Sequence, residues 1–270
     1  MSTFVSVCTR SLRALGIVVV LAVGIGAGHT ALTGEGGSHP DFNGVWSVFQ
    51  HDGPSDRFTM AADRPLSKNG QAIVDAYRAK YDVKKYDMEP NQYCVEHGMP
   101  TIMFGLGGMP MELIQQPERL TILSEAGDQY RRIFMDGRKA PTNYAHTRNG
   151  YSIAHWEGKT IVVETSAIEE WCLARWPHSA KAKFVERFSL MDAKDVKLLR
   201  PLRPGTKLTG KVLVDELTMI DPDMYDTPPH VTYYYRKLGD DEIFEDGCTQ
   251  GLWRAEFDKR INEAQAGKKK

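Results

Sequence analysis

From Met111 to Lys237 the chain reads as short β-strands punctuated by tight turns, and this run limits the fold more than any other feature. Met111 to Gln116, Leu120 to Glu125 and Gln129 to Met135 come first, separated by Ala126-Gly127-Asp128 and closed by Asp136-Gly137. Tyr151 to Trp156 runs through Glu157-Gly158 into Thr160 to Thr165, a two-residue hairpin signal. Phe184 to Leu190, Lys211 to Ile220 and Val231 to Lys237 complete the series. Val, Ile, Tyr and Thr dominate these runs, as a pleated, half-buried surface favours. Strands joined by short connections pair antiparallel. So many strands without alternating helices predict a mainly β protein, a single antiparallel β-barrel of lipocalin-like architecture.

Ahead of this run, Asp41 to Trp46 reads as a turn entering a first strand. A short helix is expected before the barrel, opened by Ser67 and running to Ala79, with Ile73, Val74 and Tyr77 on one face. No dinucleotide or nucleotide-phosphate glycine motif and no coiled-coil heptad appears.

The N-terminus carries Arg10 and Arg13, then an apolar run from Ala14 to Ala27, then small and Gly-rich sequence. This is the layout of a secretory signal. The expected organisation is a signal peptide or membrane anchor over 1–31, a β-barrel domain over 38–262 and a disordered basic tail over 263–270. Such a protein would work in the periplasm, with possible attachment to the inner membrane through its N-terminal segment. Export permits a disulfide. Cys94, Cys172 and Cys248 are odd in number, and Cys94 with a Cys248 placed on a C-terminal strand is the preferred pair.

Hydrophobic residues make up 41 % and charged residues 26 % of the chain, with a formal net charge of −1. These are globular values. The balance gives no global drive toward nucleic acid.

Several segments recur together in one known group. They are Met135-Asp136-Gly137-Arg138, Trp156-Glu157-Gly158 with Val162-Val163-Glu164-Thr165, Pro177-His178-Ser179, Glu186-Arg187-Phe188 and Asp221-Pro222 with Tyr225. From Asp41 onward the chain resembles a large family of exported bacterial proteins, mostly uncharacterised, which implies a lipocalin-like barrel and no particular chemistry. His155 stands where that family often has Arg, and the segment 246–251 matches it more weakly.

Strand alternation sorts the polar residues by face. Tyr151, Ile153 and His155 share one face, and Glu186 lies between Phe184 and Phe188 on another. A carboxyl among aromatics needs a cation, and Arg132 or Arg138 is expected to supply it. Taken as acid–base machinery, His155 or His178 would move a proton, with Glu186 or Asp136 as partner. Arg132, Arg138, Tyr144 and Tyr225 would bind substrate, with Arg138 or Tyr225 holding developing negative charge. The expected activity is a cofactor-independent lyase or isomerase acting on a small hydrophobic or aromatic molecule. The alternative is a non-catalytic carrier of a lipophilic ligand, since barrels hold such ligands readily.

The same residues have plainer roles. Asp136-Gly137 and Glu157-Gly158 are turns, Glu186 suits a buried ion pair, and Tyr233 to Tyr235 suit packing. His146, His155 and His178 show no metal-binding spacing, so neither metal nor cofactor is expected.

Overall fold

The strand series folds as its turn signals require. In the computed structural model, which describes residues 39–53, 64–81, 98–104, 108–172, 176–239, 241–246 and 248–267, nine strands close into one barrel. They are β1 (Gly44–His51), β2 (Met111–Gln116), β3 (Arg119–Ser124), β4 (Gln129–Phe134), β5 (Tyr151–Glu157), β6 (Thr160–Ser166), β7 (Lys183–Asp192), β8 (Lys211–Ile220) and β9 (His230–Lys237). Neighbours in sequence are neighbours in the wall, and β9 closes on β1, from Trp46↔Lys237 to His51↔Tyr233.

One seam departs from the expected antiparallel meander. β4 and β5 run parallel and share only Ile133↔Ser152 and Phe134↔Ile153. A parallel neighbour needs a crossover rather than a hairpin, and the segment 135–150 supplies it. No sequence signal distinguishes a long hairpin loop from a crossover that returns to the same end. The pairing is sparse, so β4 and β5 present little of their edges to each other.

Alternation sends one face of each strand inward. Leu120, Ile122, Ile133, Ile161, Val163, Phe184, Phe188, Leu213 and Leu217 are buried there, with Trp46, Tyr233 and Tyr235. The stretch Gly98–Phe104, which includes the 3-10 turn Thr101–Met103, packs Met99, Ile102 and Met103 into the same core. The Tyr235 hydroxyl donates to the Met103 carbonyl at 2.6 Å, tying that turn to β9.

The short helix is α1 (Lys68–Tyr81), and it follows β1 instead of preceding the barrel. The Ser67 hydroxyl accepts the Gly70 amide at 2.9 Å, a side-chain cap of the kind that stabilises helix starts. Val74 is buried, with Ile73 and Tyr77 packed beside it. Gly70 lies so close to the Met224 carbonyl that a Cβ would meet that oxygen at 2.2 Å.

The C-terminus corrects the sequence expectation twice. Cys248–Gly267 is a helix, α2, so Cys248 is on no strand and the tail expected from 263 is helical through Gly267. Trp253, Phe257 and Ile261 recur at helical spacing, a period masked in sequence by the charged residues between them. Cys94 and the N-terminal segment 1–31 lie outside the described residues, and so does the expected Cys94–Cys248 pairing. Cys172 is a buried free thiol. Among the described residues, no helix is long and apolar enough to cross a membrane.

Candidate functional site

The four proton-transfer candidates lie apart, each with its own partner. His155 is on the outer face of β5, 56 % exposed, its Nε2 3.3 Å from Glu157. Glu157 is also held by Arg187 at 2.9 Å, and that guanidinium keeps its carboxyl below the ordinary value. His178 is buried, with Nδ1 2.7 Å from the Trp176 carbonyl and its ring edge-on to Phe184. Burial lowers its pKa from 6.5. Asp136 accepts from the Arg138 side chain, Nε to Oδ1 at 2.8 Å, which lowers its pKa.

Glu186 is inside the barrel, as the flanking aromatics predicted, but its partner is neither Arg132 nor Arg138. It is Arg131, which donates Nη1 to Oε1 at 2.7 Å and Nη2 to Oε2. Arg131 also reaches the Thr165 hydroxyl at 2.7 Å and the Ser152 hydroxyl at 3.2 Å. The alternation of β4 explains the correction. Gln129, Arg131 and Ile133 point in, while Tyr130 and Arg132 point out. Two arginines adjacent in sequence therefore belong to different faces, and a shift of one residue would exchange them.

A second interior carboxyl escaped sequence analysis. Asp215 on β8 faces Tyr233 on β9 and Phe188 on β7, wholly buried. Neither of its oxygens nor the Tyr233 hydroxyl has a hydrogen-bond partner among the described residues. Burial, and then the charge of Glu186, push the Asp215 pKa well above its ordinary 3.8. The period-two run Leu213, Asp215, Leu217, Met219 was the available signal.

Tyr225 is structural too. Its hydroxyl donates to the Pro177 carbonyl at 3.0 Å, and burial raises its pKa. Nearby, Asp221 accepts the Ser179 amide at 2.7 Å and the Ser179 hydroxyl at 3.0 Å. The Pro177-His178-Ser179 loop and the Asp221-to-Tyr225 turn are thus two halves of one clasp.

The remaining candidates do converge. Arg132, Arg138 and Tyr144 line a groove of about 720 Å³ beside the β4–β5 seam, to which Arg138, Tyr144 and residues 146–150 of the crossover contribute. Tyr130, Phe134 and Tyr151 share the wall. The Arg138 guanidinium lies 3.9 Å from the Phe134 ring centre, Phe134 stacks on Tyr151 at 5.2 Å, and Tyr144 meets Tyr151 edge-on at 4.8 Å. Arg148 stacks on Trp171 at 3.6 Å and Arg132 on Tyr130 at 5.3 Å. Such cation–π contacts hold guanidinium planes in place. The volume suits a ligand of a few rings. Among the described residues, no group of three or more His, Cys, Asp or Glu is placed to hold a metal ion.

Neither a protein-family model nor a curated protein matches the sequence. A crystal structure of a secretary abundant heat soluble protein from Ramazzottius varieornatus aligns with 73 % of this chain and 94 % of that one, at 10 % identity and a TM-score of 0.30. The barrel assignment rests on the strand pairing above.

Proposed function

We propose that the protein is a binding protein for a small aromatic molecule, seated in the groove at the β4–β5 seam. The observation that carries this reading is the gathering of Arg132, Arg138 and Tyr144 on one aromatic wall, while the proton-transfer candidates stand apart. General acid–base work needs the two groups within reach of one bound substrate. Binding needs only a concave surface with ring faces for stacking and a few fixed polar groups, and Tyr130, Phe134, Tyr144 and Tyr151 supply the rings here. Export to the periplasm, supported by Arg10, Arg13 and the apolar run after them, is part of the same proposal.

The test is to incubate purified protein with a small-molecule extract, separate it by gel filtration and follow compounds by mass spectrometry. A compound that co-elutes unchanged, and is lost on Tyr144→Ala, is the expected outcome. A compound converted in proportion to protein, with conversion surviving Tyr144→Ala, would sink the reading and return the lyase or isomerase alternative.

A further inference from the structure

We propose that the groove selects an aromatic monoanion, a planar ring system bearing one carboxylate or sulfonate. This rests on the binding reading above and deepens it by assigning charge. Four arginines, Arg131, Arg132, Arg138 and Arg148, line the groove with two carboxylates, Asp128 and Glu169. Three of the arginines are already ion-paired, Arg131 with Glu186, Arg138 with Asp136 and Arg148 with Glu169. Arg148 holds Glu169 at 3.3 Å, and Asp128 accepts the Asp246 amide at 2.8 Å. Asp136 does not line the groove and anchors Arg138 from behind.

Arg132 differs from the other three. It projects outward from β4, exposed, with its guanidinium over the Tyr130 ring. Among the described residues it has no carboxylate within ion-pair distance, so its charge is available to an incoming anion. A guanidinium oriented on a ring presents its N–H edge to a carboxylate or sulfonate as a paired donor. Tyr144 and Tyr151 then offer ring faces and edges for the aromatic part of the ligand. Charge and stacking are thus supplied by different residues and can be removed separately.

The test uses two dyes of nearly equal shape, 1-anilinonaphthalene-8-sulfonate, an anion, and N-phenyl-1-naphthylamine, which is uncharged. Both are titrated by fluorescence at low and moderate salt, with circular dichroism confirming the fold of each variant. The anion is expected to bind about tenfold more tightly than the uncharged dye, on the strength of one charge-assisted contact. Its affinity should fall with added salt. Arg132→Gln should remove that advantage and leave the uncharged dye unchanged, whereas Tyr144→Ala should weaken both.

Equal binding of the two dyes, unmoved by Arg132→Gln but weakened by Tyr144→Ala, overturns anion selection and leaves the binding reading standing. Binding unmoved by Tyr144→Ala places the dyes elsewhere and overturns both.

Discussion

Arg131 on β4 and Glu186 on β7 meet inside the barrel as a two-point ion pair, with Nη1 2.7 Å from Oε1. Both are essentially without solvent contact. Such a pair compensates poorly for its own desolvation, yet breaking it leaves one charge stranded in the core.

The first expectation follows from that asymmetry. Glu186→Ala should destabilise the fold by about 3–5 kcal/mol, the cost of an uncompensated buried partner. The double change Arg131→Met with Glu186→Leu should cost much less. Urea unfolding of the three proteins checks this. A small loss for Glu186→Ala alone would show that Arg131 finds another acceptor. Loss of any activity in Glu186→Ala would accordingly report on folding as much as on chemistry.

Asp215 makes stability fall as pH rises above its ordinary value of 3.8. Its pKa is raised in the fold, so the native state binds the proton more tightly than the unfolded chain, whose group titrates near 3.8. The contribution is full below that value and is lost as pH rises toward the folded pKa. Asp215→Asn should flatten this part of the stability profile. An unchanged slope between the parent and the variant would mean that Asp215 keeps its charge in the core.

His178 acts in the opposite direction. Burial lowers its pKa from 6.5, so the unfolded chain binds the proton more readily. Stability should therefore fall as pH drops below about 6.5, the ordinary titration range of His. In His178→Asn this acid-side slope should diminish, measured as thermal midpoints between pH 5 and 7.5. A His178 resonance titrating normally by NMR would contradict it.

Cys172 should resist alkylation in the native state. It is wholly buried, and desolvation pushes its thiol pKa up to about 11, so little of the reactive thiolate forms at neutral pH. Iodoacetamide labelling at pH 7.5 with peptide mapping should find Cys172 unmodified until denaturant is added. Rapid native labelling would mean that the packing around Cys172 opens readily.

Gly70→Ala separates helix propensity from tertiary fit. By propensity alone it should stabilise α1 by up to about 1 kcal/mol. The new Cβ would stand 2.2 Å from the Met224 carbonyl, so the helix must shift, and a net loss of about 1–3 kcal/mol is expected. A gain in thermal midpoint would show that α1 moves without cost.

The number and extent of strands were legible because period-two alternation and turn residues are local properties. The β5–β6 hairpin and the long β8 strand fall where their residues say they should, with the turn one residue later than expected, at Gly158-Lys159. The inward position of Glu186 and the packing of Tyr233 and Tyr235 were legible for the same reason. Tyr144, Arg132 and Arg138 line one groove, although nothing in their spacing showed it.

Sequence by itself determined a mainly β barrel, a helix capped at Ser67 and a carboxylate set among aromatics. Only the tertiary structure decided that β4 and β5 run parallel, that Arg131 and not its neighbour enters the barrel, and that Asp215 meets Tyr233. The first depends on the path of the 135–150 crossover, and the other two depend on the phase and register of the strands. A shift of one residue exchanges inside for outside, and local propensity is nearly indifferent to that shift.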